Sequence, residues 1–247
     1  MKKKRGSIET YRLISKLSKS DILALSRMTC KEHGHSYLVH PNCALKEGVL
    51  LETTNAKGKK TFRIKERIGF LDIENFSFYM KADMGIVLSY CIKELDGPII
   101  ANALTMKELQ GKVEDRRLLK DLIKDMEKFT RLIGFYSTRF DFPFVRTRCL
   151  MHGYDFPIYK SIYHTDIYYL VRNKFCLKSN RLQNACKQFG IPAKDTHFEW
   201  DTWKNAVMKG SKKDLNKILE HNKEDVISTE LLWKKVSAFG MESKRSI

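Results

Sequence analysis

The sequence predicts an α/β fold, a mixed five-stranded sheet with helices on both faces, preceded by a basic N-terminal segment. Two observations lead there. Three apolar, strand-like segments come first, at 68–74, 85–93 and 98–104, and their short separations suit antiparallel hairpin connections. Helix-like and strand-like periodicity then alternate, the order that lays helices over a sheet with parallel neighbours.

Each element has its own reason. Residues 8–28 carry the spacing of a short amphipathic helix through Ile14, Leu17, Ile22 and Leu25. Residues 29–67 read as loop, first bearing cysteine and histidine, then basic around Lys57, Lys59 and Lys60. The compact core is expected to begin near Arg67. Helical periodicity through 113–130 is carried by Val113, Leu118, Leu119, Leu122, Ile123, Met126 and Phe129. Residues 131–137 form a buried strand, 140–152 a helix and Tyr163–Asp166 a last short strand. The remainder is helical, at 167–175, 179–189, 200–208 and 212–236. The expected division is a basic segment at 1–67, the main domain at 68–238 and a flexible tail at 239–247. Residues 1–5 read as a frayed start.

Composition narrows the function. The 247 residues are 43% hydrophobic and 11% aromatic, which excludes a disordered chain and suffices for one sizeable core. No apolar run reaches the ~18 residues of a membrane span, and the basic start lacks the apolar stretch of a signal peptide. Six scattered cysteines (Cys30, Cys43, Cys91, Cys149, Cys176 and Cys186) argue against a secreted disulfide framework, so the cytoplasm is the expected compartment. Lys and Arg number 46 against 29 acidic residues, a net charge of +17, which favours a polyanionic partner: nucleic acid first, an anionic membrane second. Residues 1–68 hold 16 basic and 6 acidic residues, so +10 of that excess lies there. Charge does not distinguish DNA from RNA.

Three short segments carry the chemistry. Asp72 and Glu74 stand two apart in an apolar strand, so their side chains leave the same face of the sheet. Such a pair repels and loses hydration, which a cation between them would relieve; a solvated strand end is the other reading. Asp141, in Phe140-Asp141-Phe142-Pro143-Phe144, opens a helix after a buried strand, and would serve equally as a cap or a ligand. His221 and Asp225 are i and i+4 on a helix and so share a face. Histidine titrates near neutrality, which suits it to act as a general base beside a metal, though an exposed helix would also explain the pair. Asp166 reads as a helix N-cap close to these acids. Asn180-Arg181-Leu182 could contact a substrate backbone or simply start a helix.

Phe70-Leu71-Asp72-Ile73-Glu74, then Phe140-Asp141-Phe142-Pro143-Phe144, then His221-Asn222-Lys223-Glu224-Asp225-Val226 resemble the three motifs of DEDD-type 3′–5′ exonucleases. The similarity covers about residues 67–236 and is greatest to the YprB-like branch of the ribonuclease H-like superfamily. It implies a ribonuclease H-like fold and two Mg²⁺ or Mn²⁺ ions held by Asp72, Glu74, Asp141 and Asp225. Asp72 would bridge the ions, Glu74 and Asp225 would complete one, Asp141 would serve the second, and His221 would orient or deprotonate the attacking water. Oxygen ligands suit such hard cations, and two of them stabilise both attacking and leaving oxygens. His221 stands four residues before Asp225, where one subgroup has tyrosine; the histidine subgroup usually places its histidine one residue further away. Phe135-Tyr136-Ser137-Thr138-Arg139 replaces the Asn-Gly pair common before the second motif.

A second constellation lies upstream. Cys30 and His33 are spaced C-x₂-H, and His40 and Cys43 H-x₂-C, a set that could close one tetrahedral zinc site, with His35 as a substitute for His33. Gly34 and Pro41 supply turns beside each pair. A polar loop with cysteines near histidines by chance is the alternative. Such a zinc would be structural, folding a basic flap. The sequence thus leads to a metal-dependent 3′–5′ exonuclease on DNA or RNA. A structure-selective endonuclease using the same acids and a catalytically silent nucleic-acid-binding protein are the rivals.

Overall fold

The computed structural model describes residues 11, 13–30, 32–55, 58–111, 114–158, 161–192 and 200–240. The expected frayed start at 1–5, Lys57, Val113 and residues 241–247 of the expected tail lie outside the described residues. The chain divides into two compact units, residues 1–66 with 159–162, and residues 67–158 with 163–247.

In the first unit, helix α1 (Lys19–Arg27) starts at Ser18, whose hydroxyl accepts the Asp21 N–H at 3.1 Å in a capping box. Of the helix expected over 8–28, residues 11, 13 and 14 are also helical and a turn at 15–17 separates them from α1, while residues 8–10 lie outside the described residues. The segment expected as loop holds a short helix, α2 (Pro41–Lys46), with proline at its first position. It also holds an antiparallel hairpin of β1 (Leu50–Thr54) and β2 (Lys60–Ile64). Both are too short to produce a clear period. Leu13, Leu25, Cys30, Tyr37, Cys43, Ala44, Leu50 and Ile64 make the buried core of this unit.

The second unit is a five-stranded mixed sheet in the order β5-β4-β3-β6-β7. Strands β3 (Ile68–Ser77), β4 (Gly85–Glu94) and β5 (Ile99–Ala103) pair antiparallel; β6 (Arg131–Gly134) and β7 (Tyr163–Asp166) continue parallel from β3. Between β5 and β6 lie α3 (Met106–Gln110), which the sequence reading lacked, and α4 (Arg116–Met126). Helix α5 (Asp141–Met151) links β6 to β7, and α6 (Ile167–Lys174), α7 (Leu182–Gln188), α8 (Trp200–Met208) and α9 (Lys212–Val236) follow. Phe70, Cys91 and Ile133 on one face of the sheet pack against Ile167, Val171, Ala185, Cys186, Val226, Leu232 and Val236. The opposite face turns Tyr90 towards α4, where its hydroxyl donates to Asp125 at 2.6 Å. Among the described residues no helix is long and apolar enough to cross a membrane.

Strand β6 ends at Gly134 rather than at 137. A Cβ at Gly134 would stand 2.3 Å from Ser137 Oγ, so the chain turns back on itself there, and Tyr136 takes φ +64° within the turn. This turn delivers Asp141 to the sheet.

Two buried ion networks fix the frame. Glu230 of α9 accepts the Asp96 N–H at 2.8 Å and pairs with Lys93 at 3.1 Å and Lys234 at 3.0 Å. Burial alone would raise its pKa; these partners outweigh burial and hold it below the usual range. Asp115, fully buried, takes Arg148 Nη2 at 2.7 Å, Arg148 Nε at 3.0 Å, His152 Nε2 at 2.8 Å and the Val87 N–H at 2.8 Å. Arg148→Ala removes the guanidinium from that buried carboxylate, leaving it, among the described residues, only His152 and the Val87 N–H, and is expected to cost about 3–5 kcal/mol in urea unfolding. A loss within about 0.5 kcal/mol, typical of surface substitutions, would show that Arg148 does not hold the network.

Candidate metal centre

The centre forms where β3 leaves β6. Their pairing stops at Phe70 with Ile133, so the later N–H groups on that edge of β3 have no strand partner. Asp141 Oδ1 takes one of them, the Ile73 N–H, at 3.1 Å. Asp72 and Glu74 lie on the face of β3 that Phe70 directs towards α9, and a register shift follows Glu74. Helix α9 contributes His221, Asn222 and Asp225. His221 Nε2 is 3.4 Å from Asp225 Oδ2 and 3.7 Å from Glu74 Oε1. Asn222 Nδ2 donates to Asp72 Oδ2 at 2.8 Å.

Glu74, His221 and Asp225 each offer a ligand atom within 4.8 Å of the others. Asp72 and Asp141 are outside that group and reach it through Asn222 and the β3 backbone. Asp141 is 3% exposed, and its pKa is pushed up to about 7. Burial is the main cause and the Asp166 charge adds to it, against the N–H groups of Ile73 and Asp141 itself. The donor set fits a hard divalent cation: it is rich in carboxylate oxygen with one imidazole and no thiol. Asn222 Oδ1 is a further buried acceptor without a partner among the described residues.

Asn222 escaped the sequence reading, although a signal existed. It occupies a position of the buried stripe Leu215, Ile218, Asn222, Val226 and Thr229, where a polar residue demands a partner. Trp203 of α8 also escaped it; its ring meets His221 edge-on at 6.3 Å. Asp166 is the N-cap of α6, taking the Tyr168 N–H at 3.1 Å, and it also takes the N–H groups of Tyr136 at 2.8 Å and Thr138 at 2.9 Å. It therefore holds the turn that leads to Asp141. Asn180, Arg181 and Leu182 line an open cleft of about 440 Å³ with Phe135, Tyr136 and Tyr168.

Two other clusters of potential ligands occur among the described residues. Glu114, Asp115 and His152 lie together, but the Arg148 guanidinium already fills that site with positive charge. In the first unit, ligand atoms of Cys30, His33, His35 and Cys43 lie within 4.8 Å of one another; His40 of the expected set is not in this group, though its ring stands 4.3 Å from that of His35. His40 precedes Pro41, which restricts its backbone, and it stands as the residue before α2 with its side chain exposed. The turn after Cys30 instead folds back, with Cys30 N–H donating to His35 O at 2.8 Å and Gly34 N–H to Cys30 O at 2.8 Å.

Comparison with known proteins agrees with this architecture. The RNase_H_2 family, described as RNase_H superfamily, matches residues 69–237. No curated protein sequence matches the chain. Among solved structures, the family B DNA polymerase from the hyperthermophilic archaeon Pyrobaculum calidifontis is similar, with a TM-score of 0.55 at 16% identity. The similarity covers 72% of this chain and 25% of that chain, so this protein spans about a quarter of the polymerase's length and the likeness is one of fold. Nucleases of ribonuclease H-like fold use divalent metals and act on nucleic acid, and the family match supports a nuclease-type function here. Through residues 69–237, which are more than half of its length, the chain belongs to the ribonuclease H superfamily.

Proposed function

We propose that this protein is a Mg²⁺- or Mn²⁺-dependent 3′–5′ exonuclease of the DEDD type, acting on DNA or RNA in a reducing compartment such as the cytoplasm. The observation that carries the reading is the approach of Glu74 on β3 to His221 and Asp225 on α9, with Asp72 held by Asn222 of the same helix and Asp141 bound to the β3 backbone at Ile73. Asp72, Glu74 and Asp225 would hold one ion, and Asp72 with Asp141 the second. Divalent cations there supply the positive charge that phosphodiester hydrolysis needs.

The remaining work falls to side chains. Asn222 donates to Asp72, and Glu74 and Asp225 flank the His221 ring, which supports a role for that imidazole in handling the proton of the attacking water. Tyr136 and Tyr168, with rings 4.8 Å apart, offer faces on which a base can stack, and Arg181 a cation for phosphate. The basic residues of 1–67 add phosphate contacts that are indifferent to sequence.

The test is digestion of end-labelled DNA and RNA oligonucleotides by the full chain with Mg²⁺, Mn²⁺ or EDTA. Metal-dependent shortening from the 3′ end, with covalently closed circles untouched, is the expected result. Cleaved circles would make the enzyme an endonuclease, and no metal-dependent cleavage of either polymer would end the proposal. His221→Ala is expected to slow cleavage by ~10²–10⁴-fold with Mn²⁺ binding largely kept. A variant as fast as wild type would remove the general base from this account.

A further inference from the structure

We propose that Cys30, His33, His35 and Cys43 form a structural zinc site in the first unit, independent of the acidic centre. The distances fit the ion. Zinc–sulfur bonds of about 2.3 Å and zinc–nitrogen bonds of about 2.05 Å at the tetrahedral angle put sulfur and nitrogen about 3.5 Å apart. His33 Nδ1 lies 3.4 Å from Cys30 Sγ and 3.7 Å from Cys43 Sγ. All four ligand atoms lie within 4.8 Å of one another.

A second observation points to a missing partner. His35 Nε2 is buried with no hydrogen-bond partner among the described residues, although its ring sits 5.2 Å from His33 and 4.3 Å from His40. A buried imidazole nitrogen left unpaired is costly, and a metal bond would satisfy it. Both cysteines are buried, Cys30 to 1% and Cys43 to 8% exposure, which places the thiols away from competing solvent.

The local fold explains how the ligands come together. Cys30, His33 and His35 share one tight turn, closed by the bridge between Thr29 and Ser36, with Gly34 at φ +69° making the reversal. Cys43 comes from the first turn of α2, which Pro41 starts. Glu47 accepts from the Cys30 thiol at 3.1 Å and from the Tyr37 hydroxyl at 2.6 Å. On loading, both thiols give up their protons, so two protons leave for each zinc bound, and two thiolates balance the charge of the ion.

The reason for a metal is size. Among the described residues, eight form the buried core of this unit, two of them the ligands Cys30 and Cys43, and units this small commonly need a staple. Zinc would supply it, holding the turn, α2 and the adjoining hairpin as one basic module.

The test uses the full chain, purified without chelators from zinc-replete cells and analysed for metal content. About one zinc per chain is expected, lost in Cys43→Ser and in His35→Ala, and kept in His40→Ala and in Asp225→Asn. Cobalt loaded into the wild-type chain should give thiolate charge-transfer absorption and intense tetrahedral d–d bands, a reading that needs no variant to fold. Wild-type protein with neither zinc nor these bands overturns the site. Zinc kept in His35→Ala but lost in His40→Ala overturns the ligand set, and zinc lost in Asp225→Asn overturns its independence from the acidic centre.

Discussion

Asp225→Asn is expected to abolish cleavage while leaving nucleic-acid binding in place, and Asp72→Asn to do the same. Asp225 lies 3.4 Å from His221, and both converge with Glu74 on one point. Removing one charge there weakens cation binding and loosens the imidazole together. The amide keeps the side-chain volume, and a quarter of the Asp225 side chain is exposed, so the fold should tolerate it. Losing a single electrostatic stabiliser typically costs ~10²–10³-fold, and the coupled loss of an ion should exceed that. Binding depends mainly on phosphate contacts made by a chain of net charge +17, which the change makes slightly more positive. Cleavage rates, with fluorescence anisotropy on a labelled oligonucleotide in EDTA, separate the two. Wild-type cleavage in either variant would exclude that acid from the centre; equal loss of binding and cleavage would place it in substrate recognition.

Asp141→Asn should act in opposite directions on activity and stability. Burial raises the Asp141 pKa in the folded protein to about 7, from an ordinary 3.8. The folded state therefore binds the proton more tightly than the unfolded chain. That preference favours folding fully below about pH 4 and is lost as pH rises through about 7. At pH 8 the metal-free protein carries a buried charge whose penalty is on the order of a few kcal/mol. Asparagine still accepts the Ile73 N–H through its carbonyl, without the charge. The variant should unfold at higher temperature than wild type at pH 8 in EDTA, with the difference shrinking towards pH 5. Cleavage should fall to background, because a neutral amide is a poor ligand for a hard cation. Mn²⁺ should stabilise wild type more than the variant. Equal melting temperatures across this pH range would show that Asp141 carries no buried charge to relieve.

The sheet was legible because its period was. Residues 68–74, 85–93 and 98–104 alternate or run apolar long enough to be read as strands, and the structure extends or trims them by three residues at most. Helix α9 was read at its true bounds, since Leu215, Ile218, Val226, Leu232 and Val236 keep helical spacing over 25 residues. What failed was short or tertiary. The β1–β2 hairpin and α2 have five or six residues each, below the length at which a period is distinct. The turn at Gly134 depends on packing against Ser137, which no local pattern announces. In the candidate site, the acids and His221 stood out as charges at regular spacing within apolar segments. Asn222 did not, because an amide in a buried stripe has meaning only once Asp72 is known to face it. His35 lies nearer Cys30 and Cys43 than the C-x₂-H and H-x₂-C spacing suggests, because that spacing describes reach along the chain and says nothing of how a turn folds back.

Helix α9 carries Asp225 and, five residues further on, Glu230, whose carboxylate is clasped by the Asp96 N–H, Lys93 and Lys234. Five residues of α-helix are about 7.5 Å of rise, with no glycine or proline between to absorb a displacement. The clasp is therefore a datum for the axial position of His221 and Asp225 opposite β3. Slippage along the axis by one residue would move both by about 1.5 Å and rotate them by about 100°. The alignment tolerance of the acidic centre is thus set at the far end of β4, away from any atom that meets substrate.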